Sequence, residues 1–391
     1  MSEIERSEAL FDSGPFPHFH RALGLFRPVG RSVTSRAWIC IVIGWAPLVI
    51  LVFVQGLVTQ PSKLSPFLWD FGVHARSLVA VPLLILCERT CLPRLERIVE
   101  YFVNSHIIQK TDQPAFFALL NSTKRRINSG VVEAIAILLA FGIAAVAIPY
   151  SSSVRLPDWY QGPVNGVLRH SWAGLWYAAI SLPLLLILIF GWLWRLHLWG
   201  RLLFKVSRMK LSLIAAHPDR AAGLGFLNSS LVAFTTLAFT LGVIPAGSVA
   251  NNIVNFGQSL KSAQNTVLGL LIVVTLLFVS PLMIFVFNFY FARLGGIFRY
   301  GKLAHDVGEQ FENKWLSNFE KYGPGALEAS DFSATTDLYQ IVANVHDMKF
   351  VPFELRALIF LFVATLIPFI PVVVISIPLK VILKELASLF L

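Results

Sequence analysis

Seven apolar runs dominate the chain: 37–58, 67–87, 131–150, 172–194, 227–249, 267–292 and 355–377. Each is close to the twenty or so residues that carry an α-helix across a hydrocarbon core of about 30 Å. Asp70, His74 and Arg76 interrupt the first half of the second run. The seventh holds Pro368 and Pro371 and is expected to be kinked or re-entrant rather than straight. The predicted fold is an all-α integral membrane bundle of seven spans, or six if the second or seventh fails to cross, with a cytoplasmic helical layer.

The stretches between the runs are periodic too. In 293–354, Leu303, Val307, Phe311, Trp315 and Phe319 recur every four residues, the stripe of an amphipathic helix. Only Gly295–Gly296 separate this stripe from the sixth run. One helix is therefore expected to leave the membrane and continue to about Lys321, where Gly323–Pro324–Gly325 ends it. A second helix is expected after Ser330 or Ser333, burying Leu338, Ile341, Val342, Val345 and Met348 before Pro352 and the last span. Together they predict a cytoplasmic hairpin. Segments 88–130 and 195–226 read as further cytoplasmic helices, and Pro157–Pro163, with Trp159 and Tyr160, as a compact outer turn.

Composition fixes the class. Apolar residues make up 56% of the 391 and charged residues 14%, against about 45–50% and about 25% in soluble chains. A net charge of +10 would suggest nucleic acid for a soluble protein. Here the basic residues divide by side instead. Segments 1–36, 88–130, 195–226 and 293–354 hold 24 of the 32, whereas 59–66, 151–171, 250–266 and 378–391 hold six. That is the bias of cytoplasmic loops, so the N-terminus is expected inside, the C-terminus outside, the bilayer as partner and no nucleic acid. Trp172 and Trp176 at one end of the fourth run, with Trp192 and Trp194 at the other, mark two interfaces. The first 36 residues lack the long apolar core and cleavage site of a signal peptide. Cys40, Cys87 and Cys91 have no metal-ligand spacing and read as free, buried thiols. Segment 293–354 carries −3 and segment 195–226 carries +5, which suggests docking within a protomer or between two, with solvation of both surfaces as the alternative.

Candidate chemistry is sparse. Asp70 and His74 share a helix face, while Arg76 lies about 160° away at 100° per residue. Ionisable groups at membrane depth are functional candidates by default, yet proximity to Pro66 also fits an anchor in the outer interface. Glu133 follows Lys124, Arg125 and Arg126 at the start of the third run, either complementing a helix dipole or lining an inner vestibule. In His217–Pro218–Asp219–Arg220–Ala221–Ala222–Gly223–Leu224–Gly225, Pro218 suits a first helical turn and Asp219 a cap; Arg220 with free N–H groups could equally receive an anion. No zinc pair, nucleophile elbow or nucleotide loop occurs, so neither a cofactor nor a catalytic set is expected.

HPDRAAGLGFL (217–227) and MKFVPFELRALIFLFVATLIPFIPVVVISIPL (348–379) are similar to segments of a family of multi-pass bacterial membrane proteins of unassigned function. The resemblance covers 43 residues and implies a bacterial inner-membrane location. It brings no activity, but favours a role for 217–225 and for the Pro368/Pro371 kink. Three readings follow. The first is a channel or facilitative transporter, its path passing Asp70/His74 outside and Glu133 or His217/Arg220 inside, with Pro368/Pro371 as gate. The second is a sensor or scaffold that binds a cytoplasmic protein at 293–354; faces of small and aromatic residues are compatible with a homo-oligomer under either reading. The third, an enzyme on lipid-linked substrates, has no motif.

Overall fold

The computed structural model describes residues 33–58, 64–150, 159–164, 167–316 and 330–376. The expectations for the N-terminal segment as far as residue 32, for Pro157, for Phe319 to Gly325 and for the tail after 376 fall outside these residues. The chain order is α1 Val33–Leu57, α2 Leu64–Leu68, α3 Phe71–Asn104, α4 Gln113–Ile127 and α5 Gly130–Tyr150. A short hairpin follows, β1 Gln161–Val164 and β2 Val167–His170, antiparallel with Gln161 opposite His170. Then come α6 Trp172–Ser207, α7 Gly225–Phe256, α8 Leu260–Phe278, α9 Ser280–Trp315, α10 Ser330–His346 and α11 Leu355–Ser376.

Eight of these helices are long and apolar enough to cross a membrane, one more than the seven runs predict. The extra one comes from the sixth run, 267–292, which breaks at Val279. Pro281 has no N–H to give, and the Ser280 hydroxyl bonds back to the Leu276 carbonyl at 2.5 Å, so α8 ends and α9 starts there. The two keep one direction. Leu270 packs beside Ala246 and Val249, and Phe278 stacks on Phe234 at 5.1 Å, so α8 runs antiparallel to α7. Beyond the break Pro281 lies against Gly200, and the Asn288 amide donates to the Ser207 carbonyl at 3.0 Å, following α6 to its end. Gly295–Gly296 leave α9 unbroken; Gly296 is buried where Ala215 and Val345 approach too closely for any side chain.

Several predicted boundaries move. Residues 88–104 continue α3 instead of forming a separate cytoplasmic helix, and α6 continues past residue 194 to Ser207. Residues 208–224 contain no helix: Ser212 N–H donates to the Ile107 carbonyl at 2.8 Å, and Leu211 bridges Ile108. The outer turn becomes the β-hairpin, the one departure from an all-helical chain among the described residues. In the hairpin, α10 turns Thr335, Leu338, Val342 and Val345 inward, as the period demands, and Met348 just past its end is buried too; Ile341 instead lies 41% exposed. Leu303 is also exposed, so the inward stripe of α9 begins at Ala304 and Val307.

The core is built from α3, α6 and α7, whose apolar windows are each 56% buried, against 11% for α8 at the periphery. Close approach is made by small residues. Gly247 of α7 sits on Ala75 and the Phe71 carbonyl of α3, and Gly242 of α7 sits on the Thr365 carbonyl of α11.

Candidate functional site

At one end of the bundle, Asp70 precedes the first turn of α3 and accepts from Val73 N–H at 3.0 Å, closing the helix N-terminus. Its second oxygen accepts from Trp159 Nε1 at 2.9 Å, and the residue is 3% exposed. His74 Nδ1 accepts from Trp45 Nε1 at 3.0 Å, which leaves Nε2–H to donate to the Phe67 carbonyl at 3.0 Å; this assigns the neutral Nε2–H tautomer. Phe67, His74, Trp159, Tyr160 and Tyr177 pack edge to face around the pair.

Arg76 departs from its predicted position. Residues 75–80 form a π-helical turn, which widens the helix and changes the phase of everything after it. The Arg76 guanidinium sits 5.6 Å above the Tyr177 ring and beside Gly72, on the side that also receives Asp70. Tyr177 itself opens a second π-turn, 177–181, in α6. Each wide turn is followed by a proline, Pro82 and Pro183, whose ring needs room at the carbonyl four residues back. Two matched irregularities thus face each other on the two central helices.

At the opposite end of the bundle three charges meet that sequence reasoning missed. Arg36 of α1 pairs with Glu88 Oε2 of α3, and Arg195 Nη1 of α6 lies 3.6 Å from Glu88 Oε1. The residues are 8%, 6% and 4% exposed. Arg195 also lies over the Trp192 ring at 5.1 Å, and Trp192 Nε1 donates to the Leu84 carbonyl at 2.8 Å. Two guanidinium groups from different helices thus face the one Glu88 carboxylate. A signal was present: each charge stands immediately beside a predicted span end, at 37, 87 and 194, and was assigned to a loop. The 34-residue length of α3 and the 36 of α6 carry those positions into the packed bundle. Glu133, in the first turn of α5, is 3% exposed and belongs to the same buried class.

The loop at 217–225 differs from the helix start that Pro218 suggests. Asp219 is its hub: Oδ1 accepts from Ala221 and Gly223 N–H at 2.8 and 3.2 Å, and Oδ2 from Gly225 N–H at 2.9 Å. Arg220, Ala222 and Gly223 all take positive φ, 54°, 52° and 91°, to aim these groups inward. The N–H groups considered for an outside anion thus point at the chain's own carboxylate. Burial pushes the Asp219 carboxyl up, but the three N–H bonds and His217, 2.8 Å away, hold it below the ordinary carboxylate range. Gly225 lies so close to Asp219 that a Cβ would stand 2.9 Å from Oδ2. The loop also fastens the hairpin base. Lys349 N–H donates to the Arg220 carbonyl at 2.8 Å, Arg220 faces Asp347 at 3.6 Å, and Glu354 N–H donates to Asn228 at 3.0 Å.

In α11 a 3₁₀ turn at Ile367–Phe369 carries Pro368, and Pro371 opens the final helical stretch, so the segment bends without unwinding. The bend lies against α7 at Gly242, where a Cβ would be 3.4 Å from Pro368 Cγ. Cys40, Cys87 and Cys91 are free and buried; Cys91 donates to the Ala233 carbonyl at 2.9 Å. Among the described residues no three His, Cys, Asp or Glu side chains group as a metal site. Comparison with protein-family models, curated proteins and solved structures finds no match to this chain.

Proposed function

We propose that the chain is a multi-pass protein of the bacterial inner membrane that works as a channel or facilitative transporter for an ion or small solute. The Arg36–Glu88–Arg195 cluster carries the reading. Buried ion pairs recover their desolvation cost poorly, and apolar replacements of similar volume are often as stable or more so. Charges held at membrane depth therefore call for a use. The three charges of the cluster give one end of the bundle a polar lining, and the paired π-turns give the other half a deformable seam. The shared direction of α8 and α9 favours one bent sixth crossing, hence seven crossings with the N-terminus inside and the C-terminus outside. The test is flux from sealed liposomes under an imposed voltage across an ion panel. Wild type is expected to give a protein-dependent flux that Glu88→Gln and Asp70→Asn alter. Unchanged flux in Glu88→Gln would remove the cluster from the mechanism.

A second reading is a scaffold acting through α9–α10. It is favoured by Tyr339 and Ile341, 51% and 41% exposed on a hairpin whose base is fastened to the bundle. Tyr339→Asp with Ile341→Asp should abolish capture of a cytoplasmic protein while leaving the hairpin base intact. Identical protein sets from both forms would end this reading.

A further inference from the structure

A groove of about 1110 Å³ runs down the flank where the end of α6 meets α9. It is larger than the roughly 300–1,000 Å³ of a drug-sized pocket. Met283, Ile284 and Phe287 line the end next to the α8–α9 break; Arg208, Arg299 and Leu303 are also among the lining residues. Phe287 and Phe291, one turn apart in the lining, are 72% and 65% exposed. Gly295 keeps the floor open: a Cβ there would meet nothing within 4 Å.

The charges in the lining have one sign. Arg208 and Arg299 are its only ionisable acids or bases apart from Tyr300, and no described carboxylate pairs with either. Arg208 lies over the Phe204 ring at 5.2 Å, keeping its charge at the groove edge. Phe204 stands nine residues beyond Arg195, about 13 Å further along α6, on the side that the basic residues assign to the cytoplasm. An apolar bed that begins at the membrane end and meets two unpaired guanidinium groups matches the polarity of a lipid, chains first and phosphate second.

We propose that this groove holds an anionic phospholipid of the cytoplasmic leaflet, its acyl chains along Met283, Ile284 and Phe287 and its phosphate at Arg208 and Arg299. The inference rests on embedding of the chain in a bilayer and is independent of transport. Arginine suits the phosphate because its planar fork can take two oxygens at once, and the anionic inner leaflet supplies the ligand.

The experiment is intact-particle mass spectrometry of the full chain in detergent micelles doped equally with phosphatidylglycerol and phosphatidylcholine. Wild type is expected to retain phosphatidylglycerol preferentially. Arg208→Gln with Arg299→Gln should lower that preference by about fivefold per arginine at an unchanged melting temperature. Gly295→Leu fills the floor without touching charge, favours the helix, and should reduce retention of both lipids. No preference in wild type, or full preference in the double variant, overturns the proposal. So does full competition by glycerol phosphate, which has no chains. A two-chain particle without lipid that Gly295→Leu dissociates overturns it in favour of a second copy. Release of the chain from membranes by alkaline carbonate would instead remove the embedding beneath it.

Discussion

The two ends of the bundle solve the same problem differently. At one, Asp70 is buried and His74 half-buried, their polar atoms meet partners at 2.9–3.0 Å, and aromatic rings close the site. At the other, Glu88 faces two guanidinium groups, one of them at 3.6 Å. The first arrangement is a tight donor–acceptor lock around one carboxylate, the kind that fixes a helix start. The second gathers charges of both signs from three helices in looser geometry. Burial alone does not separate anchor from working site; the balance of charge and the tightness of the bonds do.

The sharpest way to break this contrast is Glu88→Gln, which removes the carboxylate that two buried arginines face. A loss of about 3–5 kcal/mol is expected, read as a large fall in melting temperature in detergent. Replacing all three charges together, with Arg36→Met, Glu88→Leu and Arg195→Met, should reverse the sign, from neutral to a gain of about 1–4 kcal/mol, while flux disappears. A stable triple variant with wild-type flux would reduce the cluster to packing.

Asp219→Ala comes next, at about 2 kcal/mol for three backbone N–H groups that lose a charged acceptor. Because the folded-state carboxyl sits below its ordinary value, its contribution is present above the unfolded pKa of about 3.9 and fades as pH falls through the lower folded value. The melting gap between wild type and Asp219→Ala should therefore close on acidification below about pH 4. For Asp70→Asn about 1 kcal/mol is expected, since the amide oxygen can still accept one of the two bonds. At the small end, Lys314→Ala removes a surface pair with Asp331 in the hairpin and should leave the melting curve unmoved.

Much of this architecture is legible in the chain, and the exceptions have physical causes. The apolar runs locate the candidate spans because hydrocarbon tolerates little else, and the four-residue stripes locate the hairpin. Run length hides where a helix stops: α3 and α6 continue through Glu88 and Arg195 because neighbouring helices supply burial that the sequence does not display. The break at Val279 was readable from Ser280–Pro281, two residues the hydropathy of the sixth run overrides. The π-turns were not readable, since a wide turn is chosen only when a proline and a packed neighbour coincide, as at Pro82 with Gly247 nearby. Nor could 217–225 be read, because Arg220 and Ala222 accept positive φ only for the sake of the Asp219 hub. Among the candidate residues, Asp70, His74 and Arg76 gather at one end and His217, Asp219 and Arg220 in one loop. Arg36, Glu88 and Arg195 emerge only once the start of α1 is packed against the middles of α3 and α6.

Gly296 gives α9 a mechanical character. Fifteen residues separate it from Pro281 and nineteen from Trp315, arms of about 22 and 28 Å at 1.5 Å per residue. Pinned there between Ala215 and Val345, and held again at Pro281 and Asn288 against α6, the helix is a clamped beam whose upper arm is fixed to the bundle and whose longer arm carries the hairpin.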